Sequence, residues 1–439
     1  MTTTDLIIIG SGPGGYRAAD YAAKNGLQVI IFEALEAGGT CLNCGCIPTK
    51  CLAHDASKEE KPAFEQVMAR KNEAIQQLKA GVETLLSQPN ITLVHGKASF
   101  KDAKTIVANG EEYAAKYVII ASGSQAKVPP IEGIVYNPHG NSNVLTSTEL
   151  LSIDHIPEKL CIVGAGVIGM EFASAFAQFG SQVTVVEFMK ECLPTLDSDI
   201  AKRLRKCLAK TGIQFYLQAA VKKVENGKIY FEQKGKEQSV EADTILIATG
   251  RAANIDGLNL DAAGVAYDRK GILVNDNMET SVSGIYAIGD VNGRQMLAHA
   301  ATFQGMRAIN HILGKDDNIR FDIMPAAVFT YPEAACVGKT EDSCKAENIA
   351  YKTKKGYYRA NGRALSIEET EGMVKLITDE EDKIIGCHVY GAHAAELVQE
   401  VSALMNLNIK LNQLKDIIHT HPTLGEILQD IACLLYTSP

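Results

Sequence analysis

Long apolar runs, an excess of positive charge and a regular spacing of cysteines are all missing from this chain of 439 residues. No stretch reaches the roughly 20 consecutive apolar residues that a membrane-spanning helix needs. Lys and Arg number 43 against 52 Asp and Glu, which gives a net charge of −9. This balance argues against nucleic acid and against acidic membrane surfaces as partners, so we predict neither.

The cysteines are eleven, an odd number, and most are scattered outside one cluster near the start of the chain. In a chain this long, that distribution fits a reducing compartment better than a disulfide-stabilised extracellular protein. The apolar run Leu6–Ile9 is short and no basic region precedes it, so it predicts a strand rather than a signal peptide. We therefore expect a cytoplasmic protein. The length predicts two to four domains, and 46% hydrophobic with 22% charged residues is ordinary for an α/β protein.

One sequence unit occurs twice: a short apolar strand, a G-x-G-x-x-G loop, a helix, and a second strand that ends in a glutamate. The first copy comprises Leu6–Ile9, Gly10-x-Gly12-x-Gly14-Gly15, Tyr16–Asn25, Gln28–Phe32 and Glu33. The second copy comprises Leu160–Val163, Gly164-x-Gly166-x-x-Gly169, Met170–Phe179, Gln182–Val186 and Glu187. Such a loop alone is a weak signal, but its strand–loop–helix–strand–acid context makes two dinucleotide-binding units the favoured interpretation over two chance glycine-rich turns.

The residue types in this unit have physical reasons. The first glycine permits a tight turn, the second lets backbone amides approach a pyrophosphate, and the third lets helix and strand pack closely. Glu33 and Glu187 would each accept hydrogen bonds from a ribose diol, and an acid at Glu187 favours NAD over NADP. Only one cation, Lys190, closely follows Glu187.

The thiol cluster directly follows the first unit, in Gly39-Thr40-Cys41-Leu42-Asn43-Cys44-Gly45-Cys46-Ile47-Pro48-Thr49-Lys50. A structural bridge between Cys41 and Cys46 would close too small a loop to stabilise much. Metal binding is the other alternative, since Cys44 and Cys51 lie nearby, but zinc sites usually offer C-x2-C pairs on separated knuckles. A redox pair beside a nucleotide cofactor is therefore favoured, and we predict no metal ion.

These motifs resemble the pyridine nucleotide–disulfide oxidoreductases, and most of all their dihydrolipoamide dehydrogenase branch. The resemblance implies FAD and NAD as cofactors and Cys41–Cys46 as a redox disulfide. By the same resemblance Cys46 is the flavin-facing thiol, Cys41 the interchange thiol, and Lys50 a flavin neighbour paired with Glu171. It also assigns further cofactor-binding residues: Thr40, Gly123, Gly250, Asp290 and Ala298.

A second catalytic element lies near the other end, in His419-Thr420-His421-Pro422-Thr423-Leu424-Gly425-Glu426. Thiol–disulfide exchange needs a base of near-neutral pKa, a role that histidine suits. The family pattern His-Pro-Thr-x-x-Glu assigns this role to His421 and not to His419, with Glu426 orienting the imidazole. The resemblance also implies that the base acts across the subunits of a homodimer, so a monomer should be inactive.

The predicted fold class is α/β, with two Rossmann-like nucleotide-binding domains and a C-terminal α+β dimerisation domain. We assign residues 1–145 to FAD binding, 146–270 to NAD binding, 271–320 to completion of the FAD domain, and 321–439 to the dimer interface. Implied partners are the lipoyl domains of 2-oxo acid dehydrogenase complexes or the glycine cleavage H protein. Glutathione- and mercuric-reductase-like activities stay open as alternatives, as does a redox-inactive flavin-binding protein.

Overall fold

The computed structural model describes residues 1–134, 136 and 142–433. The first segment carries strands β1 to β7 and helices α1 to α4. The strands are Thr2–Ile9, Val29–Glu33, Ile91–His95, Ala98–Asp102, Thr105–Ala108, Glu111–Ile120 and Ser124–Ala126. The helices are Pro13–Lys24, Gly39–Cys44, Cys46–Ala56 and Phe64–Leu86. Within these described ranges, no helix is long and apolar enough to cross a membrane.

The second segment carries strands β8 to β16 and helices α5 to α8. The strands are Val144–Leu145, Lys159–Val163, Gln182–Glu187, Gln214–Leu217, Ala219–Glu225, Lys228–Gln233, Lys236–Glu241, Thr244–Ile247 and Arg251–Ala253. The helices are Ser147–Leu150, Val167–Phe179, Ser198–Lys210 and Leu260–Ala263. The five strands β11-β10-β9-β15-β8 form a parallel sheet, and β12-β13-β14 form a separate antiparallel sheet.

The first sheet has the strand order β3-β2-β1-β6-β5-β4, and β3, β2, β1 and β6 run parallel. A third segment returns to it with β17 (Ile285–Ala287), a 3₁₀ turn (Gly289–Asn292) and α9 (Ala298–Ile312). Strand β17 pairs with β6. Helix α9 packs so closely on α1 that a Cβ on Gly305 would lie 3.1 Å from the Ala18 Cβ. The segment after residue 270 therefore joins the first sheet.

The last segment is an antiparallel sheet, β18-β19-β22-β21-β20, covered by helices. Its strands β18 to β22 are Ala326–Val328, Ala334–Gly338, Lys352–Tyr357, Met373–Thr378 and Ile384–Tyr390. Its helices α10 to α14 are Glu341–Ala346, Gly362–Ser366, Ala394–Asn406, Leu411–Leu414 and Glu426–Cys433, with a 3₁₀ turn at Tyr358–Ala360. One mixed sheet with a parallel core, one parallel sheet and an antiparallel C-terminal sheet, each with helices, make up the fold class predicted from the sequence.

Burial on both faces of the sheet explains why the strands of the repeated unit are continuous apolar runs. Leu6, Ile7 and Ile8 are fully buried, and every residue of β2 is buried. Parallel sheets are covered on both faces, so their strands need apolar side chains on both sides. Helix α4 begins at Phe64, and Val67 and Lys71 are buried on its inner face.

Candidate active site

The glycines of the two loops allow close backbone approaches. Gly10 has φ +105°, and a Cβ there would lie 2.4 Å from the Ala121 carbonyl oxygen. A Cβ on Gly15 would lie 1.9 Å from the Gly10 carbonyl oxygen, closer than any real contact. The first and third glycines of this copy therefore cannot be replaced without moving the backbone.

The second copy repeats this geometry. Gly164 has φ +107°, and a Cβ there would lie 2.4 Å from the Ala248 carbonyl oxygen. A Cβ on Gly169 would lie 2.1 Å from the Gly164 carbonyl oxygen. Only the middle glycines, Gly12 and Gly166, face open space, with nothing within 4 Å of an added Cβ.

Gly12 and Gly166 are also the N-caps of α1 and α6, and neither helix end has a side-chain cap. Unpaired backbone N–H groups at a helix N-terminus bind anions such as phosphate. Open space therefore lies where a pyrophosphate would meet the two helix dipoles, so the residues present fit two dinucleotides. Gly14 serves packing instead, since a Cβ there would lie 3.1 Å from the Ala301 Cβ on α9.

The two acids at the strand ends make equivalent hydrogen bonds. Glu33 accepts from the Ser11 N–H at 2.9 Å and from the Leu35 N–H at 2.8 Å. Glu187 accepts from the N–H of Ala165 at 2.5 Å and from that of Met189 at 2.6 Å. In each copy the donors are the residue after the first glycine and the residue two places after the acid. These bonds hold each carboxylate beside its glycine loop.

The turns after β6 and β15, which contain Gly123 and Gly250, also lead into strands that meet. Strand β7 follows Gly123 (φ +73°), strand β16 follows Gly250 (φ +107°), and the two strands pair antiparallel. A Cβ on either glycine would have nothing within 4 Å. The pairing joins the two nucleotide-binding units at the ends of their sheets, between the two loops.

Asp290 lies in the 3₁₀ turn and accepts a hydrogen bond from the Ser124 hydroxyl at 2.5 Å. The Arg251 Nε donates to the same hydroxyl at 2.7 Å and lies 3.9 Å from the Asp290 carboxylate. Sequence reasoning predicted Asp290 but missed Ser124 and Arg251, because Ser124 is 166 positions from Asp290 and 127 from Arg251. Ala298, also predicted, is the first residue of α9.

The thiol cluster spans two helices. Cys41 lies within α2 and Cys46 begins α3, with Gly45 between them. A Cβ on Gly45 would lie 2.8 Å from the Thr40 carbonyl oxygen, so a larger residue would push the two helices apart. All eleven cysteines are free thiols in the structure. Among the described residues, no group of three or more His, Cys, Asp or Glu is placed to hold a metal ion.

The neighbouring thiols differ in their electrostatics. A hydrogen bond from the Cys41 thiol, opposed by burial and assisted by the charge of Lys50, lowers the pKa of Cys46 to about 7. The same hydrogen bond and burial raise the pKa of Cys41. Burial also raises the pKa of Cys44, although the Thr148 hydroxyl partly offsets this. Of these three thiols, Cys46 is the one poised to be a thiolate near neutral pH.

Lys50 and Glu171, which are 121 positions apart, form the predicted pair. The Lys50 Nζ lies 2.8 Å from both oxygens of Glu171, whose side chain is 4% exposed. Glu171 also accepts from the Phe329 N–H at 2.9 Å, and the Phe329 ring lies 4.9 Å from the Lys50 ammonium. Phe329 belongs to the C-terminal segment, so three segments of the chain converge on this cation. Its contribution was missed because it is far away in sequence.

His421 and Glu426 also form the predicted pair. The His421 Nδ1 lies 2.9 Å from the Glu426 carboxylate, whose other oxygen accepts from the Thr423 N–H at 2.8 Å. The His421 side chain is 79% exposed. In the described part of the chain, no hydrogen bond or ion pair joins it to Cys41 or Cys46.

Comparison with known proteins decides the family. The family model described as "Pyridine nucleotide-disulphide oxidoreductase" matches residues 4–305, and its dimerisation domain matches residues 324–432. The chain belongs to the pyridine nucleotide–disulphide oxidoreductases. The family uses FAD and NAD(H), so the cofactor prediction is confirmed.

Individual members of the family align along nearly the whole chain. The mitochondrial dihydrolipoyl dehydrogenase of Pisum sativum is 37% identical, over 99% of this chain and 92% of its own length. The dihydrolipoyl dehydrogenase of Staphylococcus aureus is 38% identical, over 98% and 96%. Among solved structures, the HOCl-induced flavoprotein disulfide reductase RclA from Escherichia coli has a TM-score of 0.90 at 31% identity, covering 98% of this chain and 100% of that one. These similarities also confirm the predicted fold class.

Proposed function

We propose that this oxidoreductase is a dihydrolipoamide dehydrogenase, which oxidises protein-bound dihydrolipoamide with NAD through FAD and the Cys41–Cys46 pair. The observation that carries the proposal is the hydrogen-bonded thiol pair beside the Lys50–Glu171 ion pair, whose glutamate is buried. The sequence identity of 37–38% to dihydrolipoyl dehydrogenases favours dihydrolipoamide as the substrate over the other substrates of the family.

The chemistry of the thiols follows from their pKa values. In the oxidised enzyme, a substrate thiolate attacks the Cys41 sulfur of the disulfide and forms a mixed disulfide, while Cys46 leaves as a thiolate. The second substrate thiol then displaces Cys41 and yields a cyclic disulfide product. A leaving thiol of lower pKa departs faster, so the lowered pKa of Cys46 favours attack at Cys41. FAD, when bound, supplies the route by which the two electrons pass on to NAD.

Each substrate thiol must lose a proton before it attacks. His421 is the proposed base, because its Nδ1 faces Glu426 and its exposed ring can receive a proton at Nε2. Glu426 favours the protonated imidazole that results, and the Thr423 N–H holds this carboxylate in place. Since the exposed His421 is not joined to the thiols of its own chain, we assign it to the thiols of the second subunit of a homodimer.

The cofactor-binding roles follow the same geometry. The Gly10–Gly15 loop with Glu33 and Asp290 would hold FAD, and the Gly164–Gly169 loop with Glu187 would hold NAD. Lys50 keeps a positive charge beside the thiols, where negative charge develops during electron transfer. Thr40, Gly123, Gly250 and Ala298 remain proposed cofactor contacts. The macromolecular partners would be lipoyl domains, and the site of action the cytoplasm.

A substrate panel tests the proposal. Purified holoenzyme is assayed with dihydrolipoamide and NAD, with glutathione disulfide and NADH or NADPH, and with mercuric ion and NADPH. We expect dihydrolipoamide to give the largest kcat/KM, by about 100-fold or more, since a site built for one substrate rejects poorly matched ones by such factors. A larger kcat/KM for glutathione disulfide or mercuric ion would refute the proposed substrate and keep only the disulfide reductase class, to which the RclA similarity also points.

NADH should reduce the enzyme with a kcat/KM about 30-fold or more above that of NADPH. The buried Glu187 would repel a 2′-phosphate and lose its hydrogen bonds to the ribose diol, together about 2 kcal/mol. Stopped-flow loss of flavin absorbance measures both rates. Glu187→Gln should shrink the ratio, whereas the matched change Glu33→Gln in the first unit should leave it unaltered. A wild-type ratio near one would contradict the proposed role of Glu187.

A further inference from the structure

Two histidines of the loop between α13 and α14 each pair with a glutamate, and the proposed reaction uses only the His421–Glu426 pair. His419 is two residues before His421, yet its side chain is 7% exposed where that of His421 is 79% exposed. Its partner is Glu400 on α12, not a residue of its own loop. The family pattern gives His419 no role, so this buried pair calls for a separate explanation.

Two hydrogen-bond contacts hold the ring of His419. Its Nδ1 lies 2.9 Å from the Ile417 carbonyl oxygen and its Nε2 lies 2.8 Å from a Glu400 carboxylate oxygen. Both ring nitrogens are therefore engaged, one by the backbone and the other by a side chain of α12. His421 differs, because its one described hydrogen bond is at Nδ1 and its Nε2 stays available for a proton.

The pair supports the loop that carries the base. A Cβ on Gly425 would lie 3.4 Å from the His419 Cδ2 and 3.5 Å from the Glu400 carboxylate, so the loop backbone packs directly on the pair. The next residue is Glu426. Hydrogen bonds from the Thr423 N–H and from His421, with a smaller contribution from the charge of His419, lower the pKa of Glu426. His419 thus acts on the His421 loop through the packing of the Gly425 backbone, and on the Glu426 carboxylate through its charge.

We propose that His419 is a positioning residue, whose ring, held by Glu400 and the Ile417 carbonyl, fixes the loop that carries His421. This inference rests on the proposed role of His421 as the base. Gly425 packs against the pair and is followed by Glu426, the partner of His421, so a displaced loop would move the imidazole and its carboxylate.

The surroundings of the pair belong to an open cavity of about 540 Å³ beside the loop. The titratable and charged groups that face His419 from the elements around it are Arg363 from α11, His393, Glu396 and Glu400 from α12 and its N-cap, His421 from the loop, and Glu426 from α14. His393 offers a control, because it lines the same cavity without a described hydrogen bond to the loop. Its φ of +55° is one that asparagine tolerates.

The test compares His419→Gln, Glu400→Gln and the control His393→Asn in the holoenzyme, using kcat and KM of dihydrolipoamide oxidation. His419→Gln should lower kcat by about 10- to 100-fold, the scale of a small misplacement of a catalytic group. Its KM should stay within about threefold, because the change displaces the base and not the substrate. Glu400→Gln retains a hydrogen-bonding partner for the His419 ring, so it should lose less than about threefold in kcat.

Two results would overturn the proposal: activity of His419→Gln equal to that of His393→Asn, or a loss in His419→Gln that appears in KM and not in kcat. A parallel measurement uses dithiothreitol as the reductant of the oxidised enzyme, followed by flavin absorbance. This dithiol needs a base but no lipoyl recognition. Should wild-type enzyme fail with dihydrolipoamide, the substrate assignment falls, while the ordering of the variants with dithiothreitol still decides the role of His419.

Discussion

Replacing His421 with alanine should lower kcat/KM for dihydrolipoamide oxidation by 10²- to 10⁴-fold, the usual effect of losing a general base. Reduction of the flavin by NADH should stay within about twofold of wild type, because hydride delivery involves the nucleotide loops and not His421. The Nδ1 contact to Glu426 at 2.9 Å and the 79% exposed ring are the features behind this expectation. Steady-state kinetics and stopped-flow absorbance measure the two half-reactions separately.

His155 provides a matched control. It too is exposed and its Nδ1 lies 2.7 Å from a carboxylate, that of Asp154, but this pair is far from the thiols in sequence and belongs to the second segment. His155→Ala should leave both half-reactions unchanged. Equal loss in both half-reactions of His421→Ala would show damage to the whole enzyme, and full activity would eliminate His421 as the base.

The second large effect concerns the two thiols. Cys41→Ser and Cys46→Ser should each abolish disulfide turnover, by about 10³-fold or more, as removal of an obligatory nucleophile does. The two variants should differ in absorbance. Two-electron reduction of wild type should yield a long-wavelength charge-transfer band from the Cys46 thiolate against the flavin, and Cys41→Ser should keep this band while Cys46→Ser loses it.

The pH dependence of the band follows from the pKa of Cys46. Because the hydrogen bond from Cys41, assisted by Lys50, lowers this pKa to about 7, the thiolate and its band should grow as pH rises through about 7 in the wild type. Cys41→Ser keeps a hydroxyl donor beside Cys46. Retention of the band by Cys46→Ser and its loss in Cys41→Ser would reverse the assignment of the two thiols.

The features predicted well from the sequence are those with local causes. The glycine loops, their glutamates and the apolar strands lie within about thirty residues of one another, and each glycine has a steric reason that the fold preserves. Gly15, for example, has no room for a Cβ beside Gly10. The fold class could therefore be derived from pattern alone, and the family comparison agrees with it.

The features that were missed depend on contacts between distant segments. Phe329 over Lys50, Arg251 on Ser124, and Glu400 beneath His419 carry no local signal, because aromatic, basic and acidic side chains are common on any surface. Lys71 on α4 is a further case, since its burial against the Leu151 carbonyl depends on a segment 80 positions later in the chain. Tertiary context decides such positions, and one sequence does not display it.

Subunit exchange tests most directly the claim that thiols and base meet across a dimer. Cys41→Ser and His421→Ala homodimers, each inactive, are mixed under conditions that allow their subunits to exchange. One site of every heterodimer would then combine intact thiols with an intact His421, so a fully exchanged mixture should recover about a quarter of wild-type activity in a twofold-symmetric dimer. A control mixture of Cys41→Ser with Cys46→Ser should stay inactive. If the first mixture also stays inactive after complete exchange, His421 does not serve the partner's thiols.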